Sequence, residues 1–528
     1  MKIHRARLLP GVVALWALLC APWAHAQLTD QTQTPNLEHA GIAKSLQEEI
    51  GAGVGDWSTP DSSSFIIARD PARAIRRGRQ LFQRKFTLVE GVGPRTRDGI
   101  GDIDAQGAIG AGLVDSCAGC HGRPRGAAGF GGDVVTRPDS RDAPHLFGLG
   151  LQEMLGDEIT ATLRAIRDSA RAQARQTRQP VLRQLVAKGI RYGTIRAMPD
   201  GTLDTSAVRG VDADLRVRPF FAQGATDSIR EFVVGAFNDE MGLQAVDPLL
   251  ARASAGKRVT TPAGMVLDGS TDRVQAPPAK SPLEDPDGDH VYNEIPTALV
   301  DHMEFYLLNY FKPGTYRQTA VTRAGEFVMK QIGCTACHVQ DLVIEHDRRV
   351  ADVETSYDAQ LGIFNGLYAS ASLLVTEEDD RSGFPTVKRP LRKPFVVRNF
   401  FADMKRHDLG PNFHERNYNG TMTTQFMTEP LWGVGSTAPY GHDGRSINLR
   451  EVILRHGGEA QASRNLFAAM PEISKTTVIE FLNTLVLFPP DDTASNLDPG
   501  DPNAPGFPQR GHGSIRLPVL FNDPSDLE

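Results

Sequence analysis

The chain has 528 residues, of which 40% are hydrophobic, and a net charge of -7 without a basic tract. This length is too great for one small module and suits about two or three domains with ordinary hydrophobic cores. The charge excludes nucleic acid as a plausible partner, because a phosphate backbone attracts a positively charged surface.

Residues 1–26 predict a cleaved signal peptide. A basic start is followed by an apolar run from Leu8 to Leu19 and by an Ala-His-Ala ending at 24–26. The run is shorter than the roughly 20 residues that span a bilayer, so an uncleaved anchor is the weaker alternative. We expect a periplasmic protein without stable membrane insertion, which begins with an N-terminal extension at residues 27–64.

The first domain is expected at residues 65–314 and opens with an amphipathic helix, which has Leu81 and Phe82 on its apolar face. The sequence Cys-Ala-Gly-Cys-His follows at 117–121. Between the helix and this motif, residues 87–116 are rich in Gly and Asp, which favours an inserted loop.

Four further stretches of this domain have distinct patterns. Residues 157–187 are rich in Arg and Gln and predict a charged, solvated helix, and residues 227–238 predict a helix with an apolar face. Residues 251–284 are polar and rich in Pro and Ala, which is typical of a loop or flexible excursion. A helix over about 297–310 is expected to close the domain.

Asp285, Asp287, Asp289 and Glu294 lie at alternating or near positions on a tight Gly turn. Carboxylates at this spacing suit a hard, oxygen-binding cation, so we predict a calcium site here. The segment differs from an EF-hand loop, because the Glu arrives two positions early and Pro296 takes its usual place. An Asp-rich turn that only caps the following helix is the alternative.

The second domain is expected at residues 315–490. A helix with Val328 and Ile332 on its apolar face precedes the sequence Cys-Thr-Ala-Cys-His at 334–338. The domain ends on another apolar-faced helix. Residues 491–528 are dominated by Pro, Asp and Gly, and we expect an extended tail.

The two C-x-x-C-H motifs contain every cysteine that remains once the signal peptide is removed. Two cysteines at this spacing can reach the vinyl groups on one porphyrin edge, and the following His offers a neutral imidazole nitrogen to the iron. Disulfide pairing and closed zinc sites are the weaker alternatives. We therefore predict two covalently bound haem c groups, held by Cys117, Cys120, His121, Cys334, Cys337 and His338.

Five other stretches carry a family resemblance: Ala-Pro-His-Leu-Phe-Gly-Leu-Gly-Leu at 143–151, His-Asp-Leu-Gly at 407–410, Pro-Leu-Trp-Gly at 430–433, His-Asp-Gly-Arg at 442–445 and His-Gly-Gly-Glu-Ala at 456–460. Over roughly residues 65–490 the chain resembles the bacterial di-haem oxidoreductases, which are related to di-haem cytochrome c peroxidases and MauG-type enzymes. The resemblance implies a mainly α fold of two cytochrome c-like haem domains with long loop insertions.

For the second haem, Leu449, Ile453 and His456 share one face of a predicted helix, which Gly457 stops. His456 therefore points inward. In the related peroxidases, the residue fourteen positions after the His of the His-Asp-Gly motif binds the iron, and fourteen positions after His442 lies His456. The resemblance implies a bis-histidine haem, whereas a hydrogen-bonded core histidine is the alternative.

For the first haem, the loop 122–142 contains no His or Met that could bind the iron opposite His121, so that position is expected to be open. His145 is the nearest candidate, either as a ligand or in a supporting role. Peroxide cleavage also needs a group that moves a proton between the two oxygens. The segment around Glu240 resembles the one that supplies a distal Glu in the peroxidases, and a surface carboxylate is the alternative.

His407 and His442 are expected to bind haem propionates or to order nearby loops. The relatives place a Trp between the haems shortly after His145, and this chain has none there. After removal of the signal peptide only Trp57 and Trp432 remain, so the sequence leaves the electron route open.

The sequence thus predicts a peroxidase-like di-haem oxidoreductase, in which the first haem is the reaction site and the second haem relays electrons. Its partners would be a small redox electron donor or carrier protein, with peroxide or oxygen as the oxidant. An electron-transfer cytochrome without catalysis and a dioxygen-activating di-haem oxygenase are the alternatives.

Overall fold

A computed structural model describes residues 55–56, 58–69, 71–94, 112–121, 142–309, 314–315, 318–346, 394–417 and 420–486. The predicted signal peptide, most of the N-terminal extension, Trp57, most of the loop 122–142 and the predicted tail lie outside these residues. No helix within the described ranges has the length and apolar character needed to cross a bilayer.

The α-helices are α1 Ser63–Arg69, α2 Pro71–Gln83, α3 Cys117–Cys120, α4 Leu149–Thr177, α5 Ile229–Met241, α6 Pro248–Ser254, α7 Thr297–Leu308, α8 Ala320–Gln331, α9 Leu449–Arg455, α10 Gln461–Ala469 and α11 Glu472–Leu482. Short 3-10 turns occupy Leu88–Glu90, Cys334–Ala336 and Gly458–Ala460.

The strands are β1 Val181–Ala187, β2 Ile190–Ala197, β3 Leu203–Asp204, β4 Arg258–Thr260, β5 Val266–Asp268, β6 Gly314–Thr315, β7 Leu342–Ile344, β8 Phe395–Val397, β9 Arg406–His407, β10 Glu415–Arg416, β11 Met422–Thr423, β12 Phe426–Met427 and β13 Leu485–Val486. They form the three-stranded sheet β1-β2-β3 and the pairs β4-β5, β6-β13, β7-β8, β9-β12 and β10-β11.

The prediction of a mainly α fold is wrong. Helix accounts for 39% of the described residues and strand for 15%, and the strands are spread over several small sheets. Long connections between helices must pair their backbone N–H and C=O groups, and short antiparallel strands do so here. Whether the chain contains two cytochrome c-like domains stays a prediction, as do the proposed domain bounds.

The stretch 157–187 is not one helix. α4 ends at Thr177, Arg178 takes a left-handed φ of 56°, and Pro180 follows. Beyond it, buried and exposed side chains alternate along β1, which pairs antiparallel with β2. The many charged residues hid this period-two pattern, which distinguishes a half-buried strand from a helix.

The stretch 251–284 is also more ordered than expected, because it contains the end of α6 and the hairpin β4-β5. Gly264 permits the tight turn of that hairpin with a φ of 86°. The helices expected at 227–238 and 297–310 lie at Ile229–Met241 and Thr297–Leu308.

Each helix that precedes a C-x-x-C-H motif packs closely on a later helix. In α2, Gly78 lies against Tyr306 of α7, and in α8, Gly325 lies against the Thr477 backbone of α11. Neither glycine leaves room for a Cβ atom. Close backbone approach therefore positions both motifs on firmly packed helices.

Two hydrophobic cores adjoin each other at Phe400 and Phe401. The larger core also includes residues that follow the second motif, namely Leu342, Ile344, Val397, Phe400 and Trp432. The smaller core comprises Met329, Ile332, Phe401, Leu449, Phe467, Val478, Phe481, Leu482 and Leu485. The neighbours Phe400 and Phe401 therefore belong to different cores, which makes this backbone position a junction.

Candidate functional site

The first motif forms the short helix α3. Ser116 caps it by accepting a hydrogen bond from the Gly119 N–H at 3.1 Å. The next residue after the helix, His121, has Nδ1 at 2.8 Å from the carbonyl oxygen of Pro144. Since a carbonyl only accepts, Nδ1 carries the proton, and burial lowers the pKa of His121. The ring is therefore neutral, with an unprotonated Nε2 suited to an iron.

The second motif repeats this arrangement. It forms the 3-10 turn Cys334–Ala336, and His338 Nδ1 lies 3.0 Å from the carbonyl oxygen of Phe401. Burial lowers the pKa of His338 to about 4. Both motif histidines thus present the tautomer that a metal ligand needs, fixed by a backbone carbonyl.

The motif cysteines are not joined in disulfides. Burial raises the pKa of Cys117 to about 12 and the pKa values of Cys120 and Cys334 to about 11. Thiols this weakly acidic stay protonated near neutral pH, which disfavours dithiol redox chemistry. The disulfide alternative is not observed at these residues, and their state is compatible with thioether attachment.

His456 lies at the C-terminal end of α9 and also has a ligand-competent ring. Its Nδ1 is 2.7 Å from the carbonyl oxygen of Val452, and burial lowers its pKa. The Phe413 ring packs edge-on against it, with the centroids 5.3 Å apart. His456 also contributes to the lowered pKa of His338, so the two rings are near one another. The structure therefore brings His456 to the second motif.

His145 has neither ring nitrogen available. The Phe147 N–H donates to Nδ1 at 3.2 Å, and Nε2 lies 3.1 Å from the carbonyl oxygen of Trp432. Burial lowers the pKa of His145 to about 4, so the ring is a neutral donor at Nε2. This arrangement favours a supporting role for His145 over iron ligation.

Glu240 lies near the first motif. It occupies the last turn of α5, and its backbone carbonyl accepts a hydrogen bond from the Gly112 N–H at 3.1 Å. After burial, the charge of Glu240 is the largest cause of the raised pKa of Cys120. A segment about 120 residues further along the sequence thus supplies a carboxylate to this site.

His407 is held between two carboxylates. Its Nε2 lies 2.8 Å from Asp403, and its Nδ1 lies 2.8 Å from Glu459. Burial is the largest single influence and lowers the pKa of His407, but the hydrogen bonds and charges of Asp403 and Cys337 together outweigh it and raise this pKa to about 10. One atom of each of Cys337, Asp403 and His407 lies within 4.8 Å of the others. His407 is thus a positively charged residue beside the second motif, and it links Asp403 to Glu459.

His442 is stacked on Phe426, with the ring centroids 3.8 Å apart. Its Nε2 lies 3.4 Å from the buried carboxylate of Glu415. Through the Phe413 ring, which contacts both histidines, His442 is packed into the same loops as His456. The Phe426 and Glu415 contacts depend on distant parts of the chain and could not be read from the motif.

The acidic turn brings together Asp285, Asp287 and Asp289, whose oxygens lie within 4.8 Å of one another. Glu294 is outside this group, and it accepts a hydrogen bond from the Gln244 N–H at 2.8 Å. Burial raises the pKa of Glu294 to about 9. The helix that follows has Pro296 at its N-cap, so the three aspartates do not cap it.

Trp432 is a site residue that the sequence did not single out. It is 2% exposed, and its ring packs edge-on against Phe400 with the centroids 4.9 Å apart. Its indole Nε1 is buried and has no hydrogen-bond acceptor among the described residues. A buried N–H group is costly without an acceptor, and a haem carboxylate is of the right chemistry to supply one. The residues around the two motifs therefore fit two haem groups.

A family model matches part of the chain. Residues 375–485 match the family model described as "Di-haem oxidoreductase, putative peroxidase". The matched stretch contains His407, Trp432, His442 and His456, and it begins after the second C-x-x-C-H motif. No curated protein matches the chain. The resemblance to di-haem oxidoreductases is confirmed, whereas the relation to MauG-type enzymes stays a prediction.

Proposed function

Residues 375–485 match the di-haem oxidoreductase family, and from this match we propose that the chain is a periplasmic peroxidase with two covalently bound haem c groups. The family description supports an oxidoreductase with two haems. Covalent attachment is supported by the two C-x-x-C-H motifs, and export by the apolar N-terminal segment.

The observation that carries this proposal is an asymmetry between the two sites. The second site has two histidines with a free Nε2, His338 and His456, which would fill both axial positions of an iron. At the first site, the nearest candidate, His145, is not such a counterpart of His121, since both of its ring nitrogens are engaged. An open axial position can accept peroxide, whereas a filled one favours electron transfer.

At the first site, Glu240 is proposed to move a proton from the inner to the outer peroxide oxygen. Its carboxylate lies near Cys120, and its backbone carbonyl accepts a hydrogen bond from Gly112, shortly before the first motif. Haem supplies the redox chemistry when bound. His121 orients it from one side, while His407 and His442 order the second site.

The proposed partners are a small redox donor or carrier protein and a peroxide, since the second site would take up electrons from outside. A calcium ion is proposed at Asp285, Asp287 and Asp289, supported by their mutual approach. Glu294 is left out of this set, since its oxygens lie outside the cluster of the three aspartates and one of them accepts from the Gln244 N–H.

Haem content tests this proposal. We expect protein exported from a host that attaches haem c to show two haems per chain, both retained after acid–acetone extraction, and to begin near Gln27 by intact mass. Cys117→Ala/Cys120→Ala and Cys334→Ala/Cys337→Ala are matched variants that should each lose one haem. Complete extraction of haem from the wild-type protein would contradict covalent attachment.

A further inference from the structure

We propose that His145 is a positioning residue that couples the two iron sites, because it joins the segment that orients His121 to the segment that orients His338. This inference rests on the proposed function, in which these two histidines bind the haem irons. It assigns His145 a role other than that of a ligand.

The segment that orients His121 is attached at two points to the second half of the chain. The Asp142 N–H donates to the carbonyl of His442 at 2.9 Å, and His145 Nε2 donates to the carbonyl of Trp432 at 3.1 Å. Between these points lies Pro144, whose carbonyl holds His121 Nδ1. The position of that carbonyl therefore depends on residues of the second half.

Trp432 continues the connection towards the second site. Its ring packs on Phe400, and the preceding residue, Leu431, donates its N–H to the Phe400 carbonyl at 3.2 Å. The carbonyl of Phe401 holds His338 Nδ1 at 3.0 Å. These contacts form a bridge between the two sites. It runs through His121, Pro144, His145, Trp432, Phe400, Phe401 and His338.

Local packing keeps this connection stiff. Phe147 donates to His145 Nδ1, which fixes the proton on Nε2 and hence the direction of the bond to Trp432. Gly148 takes a left-handed φ of 74° and lies directly against the Trp432 ring, where a Cβ would collide. Because burial lowers the pKa of His145 to about 4, its neutral donor form persists through the physiological range.

The coupling has a physical basis in the carbonyls that face the two histidines. A hydrogen bond to Nδ1 tunes the basicity and orientation of an imidazole that binds a metal through Nε2. Both carbonyls lie on segments that His145 and Trp432 hold together. A change in one of these segments should therefore alter the imidazole at the other site.

His145→Leu tests the coupling, since it keeps an apolar side chain of similar size but removes the donor to Trp432. We expect amide hydrogen exchange of the holoprotein to become about fivefold faster in residues 142–148 and also in 398–404, as expected for loss of one hydrogen bond. The EPR g-values of the low-spin second site should also shift. His145→Gln, which keeps a terminal N–H donor, should restore most of both properties.

Ser116→Ala is the matched control, because it weakens the cap of α3 without touching the bridge. Its effect should stay within residues 112–121. Phe400→Leu probes the bridge from its other end and should speed exchange in 142–148.

Two outcomes would overturn the coupling: a His145→Leu effect confined to 142–148 with unchanged g-values, or a Phe400→Leu variant with normal exchange in 142–148. If His145→Leu does not fold, Phe400→Leu decides. Wild-type protein that bears no haem would instead refute the proposed function, and the exchange comparison would still report on the bridge.

Discussion

The two C-x-x-C-H sites are alike on the side of the motif and different on the opposite side. His121 and His338 are each fixed by a backbone carbonyl, and the helices that precede the two motifs each pack through a glycine. The second site has a further histidine whose Nε2 is not engaged, His456, whereas both ring nitrogens of His145 at the first site are engaged. In the proposed function, the motif would determine how each haem is held, whereas distant segments would determine what each iron can do.

The largest expected effect is on catalysis, which we assign to the first site alone. Glu240→Gln should lower kcat/KM for peroxide by about 10²- to 10⁴-fold, the usual contribution of a general acid–base group, and leave the second-site spectrum unchanged. Asp239→Asn, the neighbouring carboxylate, is the control and should retain activity. Steady-state kinetics measure the difference, and equal activity of the two variants would remove Glu240 from the mechanism.

The next effect concerns the stability that a buried ion network around Arg230 provides. Arg230 is 0% exposed and pairs with Asp247, Asp301 and Glu304. Arg230→Met should lower the free energy of unfolding by about 3–5 kcal/mol, because it leaves buried carboxylates unpaired. Arg258→Met, at a side chain that is 70% exposed, should change it by less than about 0.5 kcal/mol in the same denaturant titration.

The same network makes the free energy of unfolding depend on pH. Burial raises the pKa of Glu304 to about 7 despite the nearby Arg230. Because this pKa is raised in the folded state, Glu304 contributes stability that is complete at a pH below its pKa in the unfolded chain. This stability is lost as the pH rises through about 7.

We expect wild-type protein to lose stability relative to Glu304→Gln between pH 5 and 8, by about 1 kcal/mol or more. Urea titrations of both proteins at several pH values measure this. A constant difference across the range would show that Glu304 does not take up a proton there.

The smallest expected effect comes from the acidic turn. Calcium should raise the melting temperature of the wild-type protein by a few degrees, of the order given by binding at about 100 times Kd. Asp287→Asn/Asp289→Asn should abolish the shift, whereas Glu294→Gln should retain it. A calcium shift that survives the double substitution would place the ion elsewhere.

Local patterns in the sequence predicted the helices at Ile229–Met241 and Thr297–Leu308 and the helical turn that ends before His456. These elements follow from apolar periodicity and from Gly stops, which act over a few residues. β1 was missed because its alternation is carried by charged and amphipathic residues, and the short strand pairs depend on partners far along the chain.

The sequence predicted those site residues that a local motif identifies. It did not predict the roles that depend on contacts between distant parts of the chain. The Cys-x-x-Cys-His spacing identifies its own histidine, so His121 and His338 could be named at once. His145 could not be assigned, because its role depends on the carbonyl of Trp432, which lies 287 positions away. Trp432 itself was identified only as part of the Pro-Leu-Trp-Gly motif at 430–433.

We propose that the first site has an open axial position and that His456 closes the second. Low-temperature EPR of the fully oxidised holoprotein, before and after hydrogen peroxide, tests it most directly. We expect one high-spin signal that peroxide removes and one low-spin bis-histidine signal.

His456→Ala should convert the low-spin signal to high spin, whereas His414→Ala, whose Nε2 is bonded to Asp408, should not. Two low-spin signals that peroxide leaves unchanged, even after one-electron reduction, would contradict the account and favour an electron-transfer cytochrome.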